Sequence, residues 1–328
     1  MIDRLIERIE ILNNPSAVGL DPSPEMMPDD LKRDMYDLFG KTPKAVAEMF
    51  VRFNAAIIDR TADIVPAVKP QIAMYERYGL DGISAYLRTV EYASEAGLTV
   101  IGDIKRGDVA GTAEAYAAHL SGVDVEGERF DLWKEDAVTI NPYLGGDSAA
   151  PFLKACKDFD KAVFVLVKTS NAGSGDIQDL RVSASEPCEG REANAPDMTV
   201  CARVASLVNE WGKDSVGDRG YSRVGAVVGA THRETGEMLR AMLPHTFFLV
   251  PGYGAQGANA GDIRGFFDER GGGAIVNSSR GIIAAWMKEF PNAGAQGAKA
   301  SGISLDEAGL AARKAAVEMR DRLRGVIR

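Results

Sequence analysis

Cysteine is scarce: Cys156, Cys188 and Cys201 are the only three in 328 residues. An odd number without a CxxC pair rules out a disulfide scaffold or a zinc ribbon and points to a reducing cytoplasm, with no structural disulfide expected. A basic excess is also missing. With 38 Lys and Arg against 47 Asp and Glu, the net charge of -9 excludes a generic electrostatic grip on nucleic acid or an anionic membrane, while a few local cations could still hold a small anion. No apolar run is long enough to span a bilayer. The first twelve residues are not a signal peptide either: Ile2, Leu5, Ile6, Ile9 and Leu12 recur between charges at helical spacing, which predicts an amphipathic helix. Low-complexity tracts and internal repeats are absent. The 35 glycines fall at the ends of apolar runs, where tight turns need them.

What is present is alternation. With 45% of residues hydrophobic, the chain can bury a sizeable core. Short apolar runs at 17–20, 64–68, 98–104, 137–140, 162–167, 224–228, 247–250 and 274–276 each lead into a polar or Gly-rich turn. Helical patterns follow at about 44–60, 80–96, 110–121, 147–157, 197–211, 232–242, 259–270 and 303–325. Near-continuous apolar strands alternating with helices imply buried parallel strands joined by right-handed crossovers, and eight such units imply a closed (β/α)8 barrel. A doubly wound open sheet is the runner-up. The expected organisation is one barrel domain over 1–328 with an N-terminal helix. Residues 174–196 are read as a surface insertion after strand five, and Leu305, Leu310, Ala311 and Val317 as the barrel-facing side of a final helix.

The polar residues at the strand ends carry the functional signal. Asp21 follows strand one, Lys69 strand two, Asp103 and Lys105 strand three, Asn141 strand four, Lys168 to Ser170 strand five, Pro251 to Gln256 strand seven and Arg280 strand eight. In a barrel these lie on the one face where active sites form. Strand alternation turns Asp103 and Lys105 the same way, with Lys69 close if its strand is the neighbour. Charges alternating in sign offset the desolvation that such a cluster costs. Each residue alone could be a solvated loop charge, and the set could be a stabilising salt-bridge network. The tripeptide Arg106-Gly107-Asp108 is treated as a coincidental match to an adhesion motif.

Asp103-x-Lys105-x-x-Asp108 with Thr112, Gly19-Leu20-Asp21, Val68-Lys69-Pro70, Lys168-Thr169-Ser170-Asn171 and Pro251-Gly252-Tyr253-Gly254-Ala255-Gln256-Gly257 together resemble the orotidine 5′-phosphate decarboxylase family, in the family's order. The wording of Asn141-Pro142-Tyr143-Leu144-Gly145 is similar to its longer bacterial branch. The resemblance implies a cofactor-free and metal-free carboxy-lyase acting on orotidine 5′-phosphate. Lys105 would protonate C6, Asp103 would sit near the substrate carboxylate and fix Lys105, and Lys69 would hold Asp103 and a ribose hydroxyl. Asp21 would bind the ribose and Ser170 the pyrimidine edge. Gln256, Arg280 and the Gly281 N–H would take the phosphate beneath a lid that includes Pro251 and Gly252. Asp108 and Thr112 would reach the neighbouring subunit's site, which implies a homodimer with shared active sites. One departure is Ser279, where many members place glycine before the arginine.

A metal-dependent sugar-phosphate lyase or aldolase on the same barrel is the main alternative. By the same resemblance, such relatives carry an acidic metal ligand at the strand-two position held here by Lys69. A Schiff-base aldolase using Lys105 or Lys168 fits less well, because a lysine among carboxylates stays protonated and is a poor nucleophile. A silent nucleotide-binding protein would not need the complete set of Lys69, Asp103, Lys105 and Asp108.

Overall fold

Eight parallel strands close edge to edge in chain order: β1 (Ser16–Leu20), β2 (Ala67–Pro70), β3 (Thr99–Arg106), β4 (Ala137–Ile140), β5 (Ala162–Lys168), β6 (Val224–Val228), β7 (Phe248–Val250) and β8 (Ala274–Ser278), with β8 beside β1. This computed structural model describes residues 1–182, 197–254, 257–291 and 302–327. The barrel is the one the alternation predicts, and the open-sheet reading falls with its closure.

The period of two along each strand sorts the residues. Val18, Val68, Val100, Val138, Val163, Val165 and Val276 face outward into the larger core beneath the helices. Ala17, Ala67, Ile101, Ala137, Ala162, Phe164, Val227, Phe247, Leu249 and Ile275 form a separate inner cluster, into which the helix Ile2–Leu12 inserts Ile2 and Leu5. Two residues further along, the inward positions of β2, β3, β4 and β8 become Lys69, Asp103, Thr139 and Asn277, all of which border one cavity. The interior therefore runs from apolar at the N-terminal ends to polar at the C-terminal ends, the arrangement expected of a barrel enzyme.

Several expectations need correction. Strand two begins at Ala67, three residues later than predicted, although Ile64 and Val65 are buried before it. The predicted helix at 259–270 is a 3-10 turn, Ala260–Phe266. The helix Asp29–Phe39 and the hairpin Val123–Val125 with Glu128–Phe130 were not expected. The final helix, Leu305–Ile327, buries Ala308, Gly309, Ala311, Ala312, Ala316, Met319 and Leu323, whereas Leu310 is exposed. Gly309 sets its approach, since a Cβ there would lie 2.7 Å from the Ala56 carbonyl of the helix Pro43–Thr61. Small residues let the two helices meet closely, which turns the bulkier Leu310 outward. Cys156 and Cys201 are buried free thiols; Cys188 lies outside the described residues.

Gly225 tests the inner packing. A Cβ on it would sit 2.5 Å from the Phe164 ring and 2.7 Å from the Phe247 carbonyl. Gly225→Ala should destabilise the fold by about 1–3 kcal/mol through overpacking, read as a lower urea midpoint with an unchanged slope.

Candidate active site

Asp103 is the centre of the site. It is 6% exposed, and both of its oxygens are saturated. Oδ2 accepts from Lys69 Nζ at 2.6 Å and Gln71 Nε2 at 2.9 Å; Oδ1 accepts from Lys105 Nζ at 2.5 Å and the Thr139 hydroxyl at 2.9 Å. Burial alone would raise the pKa of this carboxyl, but the Lys69 and Lys105 ammoniums outweigh it and hold the group ionised well below the usual carboxylate range. Burial likewise works against the charge on Lys69, yet Asp103 and Asp21 together lift its pKa above the ordinary lysine value.

Simple alternation is not what aligns Asp103 with Lys105. The β3–β4 register shifts between Gly102 and Arg106, and Lys105 adopts a left-handed backbone, φ 47°. For a residue with a Cβ this conformation costs about 1–2 kcal/mol. The Lys105 N–H donates to Thr139 Oγ1 at 2.9 Å, so one threonine supports both the strained backbone and the carboxylate. Lys105 keeps its side chain 44% exposed while Lys69 is 4% exposed. Both border the cavity, Lys69 held deep against Asp103 and Lys105 more open to incoming molecules.

The cavity over this cluster has a volume of about 620 Å³ and is bordered by Asp21, Ser170, Pro251, Gly252 and Arg280 as well as the charged centre. Its size suits a nucleotide-sized ligand. Asp21 presents a buried Oδ1 without a hydrogen-bond partner, an acceptor suited to a ligand hydroxyl. Asn277 Oδ1 is also buried and unpartnered. Arg280 is exposed and makes no ion pair among the described residues. Gly281 follows it in the short helix Arg280–Ile283 and borders a second cavity on the outer side of Arg280. Ser279 is accommodated by Gly19, where a Cβ would lie 1.8 Å from the serine hydroxyl. Gly252 and Gly254 turn the strand-seven loop with φ 96° and 76°. Gln256 lies outside the described residues.

Besides Gly281, the predicted positions Asp108, Thr112, Asn141 and Lys168 do not border this cavity. Asp108 is partly buried, with Oδ1 accepting from the Val109 N–H at 2.7 Å. Thr112 is exposed on the helix Ala110–Ser121. Neither borders the cavity of its own chain. Lys168 is 1% exposed and points away, its ammonium 2.7 and 2.8 Å from the two oxygens of Asp179, which removes it as a Schiff-base candidate. Arg106 pairs with Glu76 and lies over the Tyr116 ring, so the adhesion-like tripeptide is not a free loop. Gln71 and Thr139 went unnoticed in the sequence. Their signal was position alone, since each lies on the polar end of an inward-facing row.

A closed barrel whose strand ends gather a lysine–carboxylate–lysine cluster and an exposed arginine around one cavity defines an enzyme acting on a small anionic, phosphorylated molecule. Residues 18–289 match the orotidine 5′-phosphate decarboxylase / HUMPS family. A Rhodopirellula baltica protein named orotidine 5′-phosphate decarboxylase is 40% identical over 312 residues, covering 94% of each chain. Another of that name, from Caldicellulosiruptor saccharolyticus, is 41% identical over 285 residues, 87% of this chain and 89% of that one. Among solved structures, Leishmania donovani OMP decarboxylase superposes with a TM-score of 0.68 at 30% identity over 99% of this chain and 98% of its own. Leishmania donovani UMP synthase gives 0.69 and 31% over 99% of this chain, which spans 56% of that longer protein. The chain belongs to the orotidine 5′-phosphate decarboxylase / HUMPS family.

Lys69→Met should destabilise the protein by about 3 kcal/mol at neutral pH, because Asp103 would lose one of its two balancing charges while still buried. The sign with pH follows from the depressed Asp103 pKa: its contribution is complete above the unfolded value of about 4 and is lost as pH falls below it. The gap between wild type and Lys69→Met in urea melts should therefore narrow from about pH 5 to pH 2; a constant gap would mean that Lys69 acts through packing.

Proposed function

We propose that the protein decarboxylates orotidine 5′-phosphate to uridine 5′-phosphate, the last step of de novo pyrimidine nucleotide synthesis, without a cofactor. The observation that carries this reading is the Lys69–Asp103–Lys105 cluster at the floor of a nucleotide-sized cavity, with Lys69 buried against Asp103 and the Lys105 side chain the more exposed of the two. Family membership supports it independently.

In this reading the carbon–carbon bond from C6 to the carboxylate breaks, carbon dioxide leaves, and the electron pair stays on C6. The ring delocalises that pair poorly. Lys105 supplies a fixed positive charge beside it and transfers one Nζ proton to C6, so the preorganised ammonium acts as electrostatic stabiliser and then as acid. Asp103, kept ionised by its two lysines, faces the substrate carboxylate, while Lys69 and Asp21 take the ribose hydroxyls. Ser170 meets the pyrimidine edge. Arg280, the Gly281 N–H and Gln256 hold the phosphate, with Pro251 and Gly252 in the loop that covers it, so that binding energy from a group remote from the chemistry positions C6.

We place Asp108 and Thr112 in the partner's site of a homodimer, which accords with their exclusion from their own cavity. Cytoplasmic location and a single barrel domain over 1–328 belong to the same reading; among the described residues no helix is long and apolar enough to cross a membrane. The metal-dependent lyase would need a cluster of acidic or imidazole ligands. Among the described residues no group of three or more His, Cys, Asp or Glu side chains could share an ion.

Wild-type protein should deplete the absorbance of orotidine 5′-phosphate at the same rate with and without chelator, and Lys105→Ala should lower kcat by about 1,000-fold or more. Chelator-abolished turnover, or a Lys105→Ala variant as fast as wild type, would remove this mechanism. Mixing Asp103→Asn with Asp108→Asn subunits should restore turnover above either parent, since one site of the heterodimer escapes both changes; no recovery in verified heterodimers would place Asp108 outside the shared site.

A further inference from the structure

The segment after β5 offers a role that the proposed reaction has not yet used. Pairing of β5 with β6 skips Val167, because Leu166 lies opposite Val227 and Lys168 opposite Val228. Beyond this irregularity the strand leaves the sheet, and Thr169, Ser170 and Asn171 border the cavity. Their backbone needs partners that the barrel no longer supplies.

From the β6 side, the Gly229 N–H donates to the Lys168 carbonyl at 2.7 Å and the Thr231 hydroxyl to the Ser170 carbonyl at 3.1 Å. Gly229 must be a glycine for this contact, since a Cβ would lie 2.7 Å from the Ser170 backbone. From the other side, the chain beyond Ser170 folds back. Gln178 Oε1 accepts the Thr169 N–H at 2.9 Å and its Nε2 donates to the Thr169 hydroxyl at 2.8 Å. Asp179 supplies both oxygens to the buried Lys168 ammonium, a charge that could not stay buried unpaired.

We infer that Gln178 and Asp179 are positioning residues: the turn that carries them is a clamp that fixes Thr169 and Lys168, and thereby sets Ser170 against the base end of the ligand. The inference rests on the decarboxylase reading for what Ser170 touches. The clamp acts at one end of the cavity, whereas Arg280 serves the other, so its loss is felt by the base and not by the phosphate.

Uridine 5′-phosphate and ribose 5-phosphate, titrated separately, distinguish the two ends. Gln178→Ala should weaken uridine 5′-phosphate about tenfold, the worth of one well-made hydrogen bond, and leave ribose 5-phosphate unchanged. In a Ser170→Ala background the same substitution should change uridine 5′-phosphate affinity less than about twofold, because the two residues act as one unit. Asp179→Asn, which keeps the side-chain shape, should show the same base-selective loss. Equal weakening of both ligands, full additivity with Ser170→Ala, or wild-type affinity in both variants overturns the clamp while wild-type turnover leaves the reaction standing. Wild-type protein that neither binds uridine 5′-phosphate nor consumes orotidine 5′-phosphate overturns both.

Discussion

The site is organised by one buried carboxylate that must be satisfied. Asp103 is largely withdrawn from water, and four donors from three neighbouring strands or their ends take its place: Lys69 and Gln71 at β2, Lys105 on β3 itself, Thr139 on β4. A half-satisfied buried carboxylate would be worse than an apolar residue, so the four contacts have to be made together. That requirement fixes the relative positions of β2, β3 and β4 at their C-terminal ends. It also explains the left-handed backbone at Lys105, a local cost offset by a charge-assisted bond of 2.5 Å and by the Thr139 hydroxyl that accepts the Lys105 N–H.

The same strands carry two opposed demands. Where they begin, inward residues must exclude water, and Ala17, Ala67, Ala137 and Ala162 leave room for Phe164, Phe247 and the inserted Leu5. Where they end, inward residues must stay polar and reach a ligand. Both demands are met by a period of two with a change of residue type partway along, as in Ala67 to Lys69 or Ile101 to Asp103. The polar ends are supported by packing below them, which lets a charged cluster be rigid without being wholly buried.

The barrel was legible in the sequence because its strands are apolar on both faces, a pattern that parallel strands under helices require. The centre of the site was legible because charged residues at strand ends are rare unless used, and Lys69, Asp103 and Lys105 stand out for that reason. Gln71 and Thr139 did not stand out. Neutral polar residues are common in turns and strands, and their importance appears only when β2 and β4 are seen flanking β3. Lys168 was misplaced for a different physical reason: the irregularity at Val167 rotates the strand end, so that a lysine in a site-like position turns toward Asp179. A period-two argument carries through a regular ladder and fails at a bulge. The helix Asp29–Phe39 escaped because its charge-rich sequence buries only Leu31 and Met35.

Asp108 and Thr112 show how far one chain's geometry can define a site. They stand at the end of β3 and the start of the next helix, close in sequence to Lys105, yet outside the cavity that Lys105 faces. Lys105 takes its left-handed backbone three residues before Asp108, and between them Arg106 still pairs with Ile140 at the end of β3. If the pair serves a neighbouring copy, as the proposed dimer requires, one short segment serves both sites. It presents an ammonium to one cavity and a carboxylate to the other. The spacing of three residues between Lys105 and Asp108 is then a geometric link between two active sites, and changing its length would misalign both.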